Sequence, residues 1–117
     1  MVDGDTVRSG GLTYRLVGFN TPEQGTRAHC WQERALASKA KDRLRALVAG
    51  RDVALSRVSC ACRPGTEGTS ACNYGRLCGK LKADGRDVGQ ILIAEGLAES
   101  YACGATACPK RRDWCAG

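Results

Sequence analysis

The chain has 117 residues, a formal net charge of +6 from 18 Lys and Arg against 12 Asp and Glu, and eight cysteines beside a single histidine. That length supports one domain, residues 1–117, with one modest core, and one Phe, two Trp and three Tyr supply few large side chains to fill it. The excess positive charge favours a polyanionic partner by concentrating anions at the surface, and no apolar run is long enough to span a bilayer.

The segment Val2-Asp3-Gly4-Asp5-Thr6-Val7 opens the chain, and Thr6 to Ser9 reads as a short strand. Gly10-Gly11 signals a tight turn into a second strand, Leu12 to Phe19, rich in β-branched and aromatic residues. Asn20-Thr21-Pro22-Glu23 leaves its far end, because Pro22 cannot donate to a ladder. Residues 24–29 read as a loop. From Trp31 to Val48 the pattern is helical, with Leu36, Ala40, Leu44, Leu47 and Val48 on one face and Lys39, Lys41, Arg43 and Arg45 on the solvated side. Gly50 is placed to end that helix. Asp52 to Ser59 is a strand, and residues 60–72, with Pro64, Gly65 and Gly68, form a loop. Arg76 to Lys82 is the next strand. Asp87 and Gln90 have capping-box spacing and open a helix carrying Ile91, Leu92, Leu97 and Ala98. The remainder, from Ala102, is rich in Cys, Gly and Ala and reads as irregular. This order predicts an α+β fold, mainly β: a small, mostly antiparallel barrel with two helices packed on it.

The cysteines are Cys30, Cys60, Cys62, Cys72, Cys78, Cys103, Cys108 and Cys115. An even count at this density in a small domain with a thin core points to disulfides and an oxidising compartment, the periplasm or the cell exterior. Zinc is disfavoured: Cys60 and Cys62 are too close for the usual knuckle, no Cys-x-x-Cys occurs, and His29 is the only histidine. Eight cysteines allow about 105 pairings. Cys103 with Cys108, bracketing a short loop, is the best single pair, and Cys60 or Cys62 with Cys72 or Cys78 would staple the loop before Tyr74.

Three segments carry chemistry: the one around Asp3 and Asp5, then Arg15 to Glu23, then Tyr74-Gly75-Arg76. A phosphodiester gains negative charge at an equatorial oxygen when it is attacked, so its hydrolysis needs fixed positive charge there and an activated water. An arginine fork makes two parallel hydrogen bonds to phosphate and keeps its proton. Hard oxygens such as those of Asp5 and Asn20 suit calcium or magnesium, and a carboxylate such as Glu23 can deprotonate water. Each residue also has a plain reading: Asp3-Gly4-Asp5 as a turn, Glu23 as a solvated carboxylate at a strand exit, and Arg15 as a buried charge paired with Asp5 or Glu23. Arg15 shares one face of its expected strand with Val17 and Phe19, so it needs such a partner.

In their order and spacing these segments resemble the staphylococcal nuclease (thermonuclease) family, and the similarity runs from Val2 to about Tyr101, including Leu92 to Ala98. The resemblance implies a five-stranded OB-fold-like barrel with two packed helices. It implies catalytic roles for Arg15, Glu23 and Arg76, with the two arginines on the scissile phosphate and Glu23 on the attacking water. Asp5, Asn20 and the Thr21 carbonyl would hold Ca2+, supported by Asp3. Tyr74 would contact a neighbouring phosphate and Tyr101 the base. The implied activity is calcium-dependent hydrolysis of DNA and RNA at the P–O5′ bond, leaving 3′-phosphates, with single-stranded DNA or RNA as the expected substrate; no self-associating stripe is evident in the sequence, so a monomer is the default. In the family a strand leads into the Asp-Gly-Asp segment, so a signal segment and part of a strand are expected to have been removed ahead of Met1.

Three departures define a cysteine-rich branch. Asn20 stands where the family usually has an aspartate, which lowers the ligand charge and the expected calcium affinity. Cys72 replaces an aspartate usual two residues before Tyr74, so a disulfide is expected to hold that loop. A short tail with Cys103, Cys108 and Cys115 replaces a long C-terminal helix and is expected to dock through disulfides. Because of Asn20, the alternative is a weak or inactive module of the same fold that binds nucleic acid or an acidic polysaccharide.

Overall fold

The Gly10-Gly11 turn folds β1 (Thr6–Ser9) back on β2 (Leu12–Leu16) as an antiparallel hairpin with Thr6 opposite Arg15. In the computed structural model, which describes residues 4–103 and 108–115, β2 is an inner strand. Its other edge pairs in parallel with β5 (Leu77–Ala83), placing Arg15 opposite Cys78. β5 pairs antiparallel with β4 (Val53–Val58) and with the two-residue β6 (Arg86–Asp87). The sheet is therefore mixed, five-stranded and mostly antiparallel, as in an OB-like α+β fold.

The expected second strand is broken. β2 ends at Leu16, and β3 (Gly18–Asn20) joins a separate two-stranded ladder with β7 (Glu99–Tyr101). Gly18 has φ +93°, a left-handed conformation that side chains resist, and it turns the chain out of the first sheet. Arg15 thus does not share a strand face with Phe19; the bend instead returns the Phe19 carbonyl towards the Arg15 guanidinium, 3.1 Å away. β7 was not expected, since Glu-Ser-Tyr is too short to show alternation.

Helix α1 (Trp31–Val48) has the expected bounds, and it buries Ala37, Ala40, Leu44 and Leu47, with Leu36 only half-buried. Leu44 and Leu47, with Leu16, Phe19, Leu81, Val88 and Leu92, form the core against the sheet and α2 (Val88–Ala94). Asp87 caps α2 by accepting the Gln90 N–H at 3.1 Å. That helix stops earlier than expected. Gly96, at φ +76°, donates to the Ile93 carbonyl at 3.1 Å and Leu97 to the Leu92 carbonyl at 2.9 Å, the Schellman pattern of a helix end. Leu97 and Ala98 therefore pack on the core from the connector to β7.

All eight cysteines are paired: Cys30–Cys115, Cys60–Cys78, Cys62–Cys72 and Cys103–Cys108. The loop before Tyr74 is stapled twice, and the tail is tied to the first turn of α1. No described helix is long and apolar enough to cross a membrane.

Candidate active site

A cleft of about 550 Å³ opens where the start of β1, the segment after β3, the first turn of α1, the turn before β5 and the tail converge. Arg15 lies at its floor with 11 % of its side chain exposed. A buried guanidinium needs acceptors, and the bend at Gly18 supplies them. Arg15 donates to the Leu16 carbonyl, to the Phe19 carbonyl and, at 3.4 Å, to Asn20 Oδ1. Its Nη1 lies 3.4 Å from Asp5 Oδ2, a carboxylate that also accepts the Thr21 N–H at 3.4 Å and the Thr21 hydroxyl at 3.2 Å. Asp5 thereby ties the entry of β1 to the exit of β3. The partnership with Asp5 is the pairing expected for a charge on an apolar strand.

Arg76 reaches the same floor from the other side. It follows a single 3-10 turn, Asn73–Gly75, in which Asn73 and Tyr74 adopt φ +51° and +56°. Such left-handed conformations cost about 1–3 kcal/mol each and persist where surroundings impose them. Here two disulfides do so: the Asn73 amide nitrogen lies 3.4–3.7 Å from the sulfurs of Cys62, Cys72 and Cys78. The turn leaves Tyr74 85 % exposed, with the Arg76 guanidinium 5.9 Å from its ring centre. Arg76 Nε donates to the Asn73 carbonyl at 3.0 Å and Nη1 to the Thr6 hydroxyl at 2.9 Å. The Thr6 hydroxyl in turn donates to Asp5 Oδ1 at 3.3 Å. Both arginines are thus joined through one short hydrogen-bonded chain, Arg76–Thr6–Asp5–Arg15.

Glu23 is held by residues that sequence reasoning missed. Its backbone N–H donates to Glu33 Oε2 at 2.9 Å, and Glu33 Oε1 accepts the His29 N–H at 2.8 Å. Glu33 sits in the first turn of α1 with its side chain 5 % exposed. The sulfur of Cys30, the helix's N-cap residue, accepts the Glu33 N–H at 3.4 Å. Cys30-x-x-Glu33 therefore has capping-box spacing, a signal hidden because cysteine is not an ordinary capping residue. The Glu23 carboxylate accepts a hydrogen bond from Arg111 of the tail. Burial disfavours the Arg111 charge, but the Tyr101 hydroxyl and Glu23 outweigh it and raise its pKa above the ordinary guanidinium value. Arg112 stacks on Trp114, 4.6 Å from the ring, and Trp114 is buried.

Asp5, Arg15, Asn20, Thr21, Glu23, Tyr74 and Arg76 all line this cleft. Tyr101 does not. It lines an adjoining cavity of about 850 Å³ that shares Arg15, Tyr74, Arg76 and Arg111 with the first, adds Arg63 and Lys80, and among the described residues has no carboxylate in its walls. Asp3 lies outside the described residues. Among the described residues no three His, Cys, Asp or Glu gather as a metal cluster. The hard oxygens at the floor are those of the Asp5 carboxylate and the Asn20 amide, beside Thr21, three residues buried together, and Arg15 already engages the first two. In kind they fit calcium or magnesium; in charge they bring one carboxylate.

A family model described as staphylococcal nuclease homologue matches residues 13–114. The chain belongs to that family. The match takes in every cleft residue named above except Asp5 and Thr6, and it extends through Arg111 to Trp114. No curated protein matches the chain. Membership gives a nuclease fold from a family that binds nucleic acid. The four disulfides fit an oxidising environment.

Proposed function

We propose that the protein is an extracytoplasmic, calcium-dependent nuclease that hydrolyses DNA and RNA at the P–O5′ bond and leaves 3′-phosphates. The observation that carries this reading is the chain Arg76–Thr6–Asp5–Arg15, which fixes two guanidinium groups on one cleft floor with Glu23 in the same cleft. Two guanidinium groups fixed on one floor supply positive charge where it grows on a phosphodiester in the transition state, and Arg76 Nη2 is left to donate to the phosphate. Glu23 takes a proton from water as the water oxygen bonds to phosphorus. The P–O5′ bond breaks, the departing oxygen takes a proton from solvent, and Glu23 returns its own to solvent.

Asp5, Asn20 and Thr21 would hold the divalent cation, which when bound supplies further positive charge beside the phosphate. With a single carboxylate, and Arg15 sharing the oxygens of Asp5 and Asn20, calcium binding is weak, about 10⁻⁴–10⁻³ M. Exposed Tyr74, beside Arg76, offers a stacking surface to an unpaired base, which favours single-stranded substrate. The disulfides favour the periplasm or secretion.

The test is cleavage of a labelled single-stranded DNA oligonucleotide by oxidised protein, with millimolar calcium, with EDTA, and with Arg76→Ala as a control for contaminating nuclease. Calcium-dependent cleavage lost in Arg76→Ala supports the reading. A folded protein that leaves the oligonucleotide intact at high calcium refutes it. Asn20 favours a second reading, an inactive binding module. Such a module would be stabilised against heat by nucleic acid or an acidic polysaccharide without turnover.

A further inference from the structure

We propose that the disulfide-tethered tail completes the active site, with Arg111 as a positioning residue for Glu23; the inference rests on the nuclease reading for its catalytic meaning. Glu23 is gripped twice. Glu33 holds its main chain, and Arg111 holds its carboxylate. Both grips sit on one crosslink. Cys30 caps the helix turn that carries Glu33, and its disulfide partner Cys115 closes the tail that carries Arg111. On its other side Arg111 follows Cys108, which is bonded to Cys103. The tail segment is thus pinned three residues before Arg111 and four after it.

The ring of Tyr101 lies 5.9 Å beneath the Arg111 guanidinium, and the Tyr101 hydroxyl donates to the Pro109 carbonyl at 3.0 Å. Arg111 therefore approaches Glu23 from a fixed direction, at the border of the two cavities. Exposure of the two side chains is 51 % for Arg111 and 29 % for Glu23. Ion pairs that wet add little stability, so the pair serves orientation. A glutamate has three rotatable side-chain bonds, and a general base must stay within hydrogen-bond reach of its water. A guanidinium fork anchored on one side of the carboxylate restricts those rotations. The tail is one wall of the catalytic cleft.

The experiment uses the full oxidised chain and compares Arg111→Ala, Arg111→Lys and wild type on the single-stranded oligonucleotide with calcium. Arg111→Ala is expected to lower kcat about 10–100-fold with KM within about threefold, the signature of misplaced chemistry. Arg111→Lys, which keeps the charge, is expected to recover part of the loss. A kcat within threefold of wild type overturns the inference, as does a rise in KM alone, which would make Arg111 a substrate contact. A second readout needs no turnover: melting temperatures of Arg111→Ala, Glu23→Gln and the double variant. Each single change is expected to lower the midpoint by about 1–4 °C, and the double variant by no more than the larger single. Additive losses overturn the inference. If wild type fails to cleave, the nuclease reading fails, and this cycle alone decides whether the tail holds Glu23.

Discussion

Glu33→Gln is the substitution whose cost the structure defines best. Each oxygen of the buried Glu33 carboxylate accepts one backbone N–H, from Glu23 at 2.9 Å and from His29 at 2.8 Å. Glutamine keeps the shape but turns one acceptor into a donor, so one of the two amides then faces an N–H₂ group. A hydrogen bond to a charged group is worth about 1.5–3 kcal/mol, and an unsatisfied donor, here part-buried, adds a share of the ~1–3 kcal/mol that full burial would cost. Against this, a neutral amide is cheaper to bury than a carboxylate. The net expectation is a loss of about 2–4 kcal/mol. Urea unfolding of the oxidised variant at pH 7 measures it, as a midpoint lower by about 1–2 M with an unchanged slope. Because the lost partner is the Glu23 or His29 amide, the segment carrying Glu23 loosens and cleavage falls with stability. A variant within about 0.5 kcal/mol of wild type would show that Glu33 does not fasten this segment.

Three further outcomes are open to direct measurement. Asn20→Asp supplies a second carboxylate beside Asp5 and is expected to tighten calcium at least about tenfold, read from the calcium dependence of the melting temperature; an unchanged dependence removes Asn20 from the metal site. Cys30→Ser with Cys115→Ser opens a crosslink spanning 85 residues, with an expected cost of up to about 4–5 kcal/mol by loop entropy, read by denaturant unfolding. Glu95, held below the usual carboxylate pKa by its hydrogen bonds to Arg43, contributes stability that is present above the unfolded value near about 4.3 and lost as pH falls through the folded value. Melting curves between pH 3 and 7 should therefore show Glu95→Gln less stable than wild type at pH 7 and level with it at the acid end.

What the sequence revealed and what it hid divide along physical lines. Local signals were legible: the Gly10-Gly11 hairpin, the full extent of α1, the Asp87 cap and the pairing of Cys103 with Cys108 all arise within a few residues. The gathering of Asp5, Arg15, Asn20, Thr21, Glu23, Tyr74 and Arg76 in one cleft was legible from the order and spacing of their three segments. The break at Val17 was not, since Leu12 to Phe19 has strand composition throughout and only the conformation of Gly18 separates the two halves. Leu97 and Ala98 continue the apolar pattern of α2, yet the chain leaves the helix at Gly96 before reaching them. Arg111 carried no local signal at all. It lies 88 residues from Glu23, in a segment without periodicity, and is brought home by long-range ties of the tail: Cys115 to Cys30, the Arg112 N–H to Glu99 and the buried Trp114.

Three of the four disulfides border the candidate site, and this follows from the thin core. With one Phe in the chain, apolar packing alone has little to fix an exposed turn or an irregular tail with the accuracy a phosphoryl site demands. Cys78 is the cross-strand neighbour of Arg15, and its bond to Cys60, with Cys62–Cys72, encloses the Asn73 side chain and holds the left-handed turn that aims Tyr74 and Arg76. Cys30–Cys115 serves the Glu23 side in the same way. If the proposed roles hold, the paired staples at the Asn73 turn and the Cys30–Cys115 crosslink act on different halves of the reaction, phosphate binding and water activation. Removing Cys62–Cys72 should weaken binding of a nucleotide phosphate, seen as a raised KM. Removing Cys30–Cys115 should lower kcat. If both variants, assayed well below their melting temperatures, lost activity in the same parameter, the crosslinks would be serving general stability alone and the division of labour would fail.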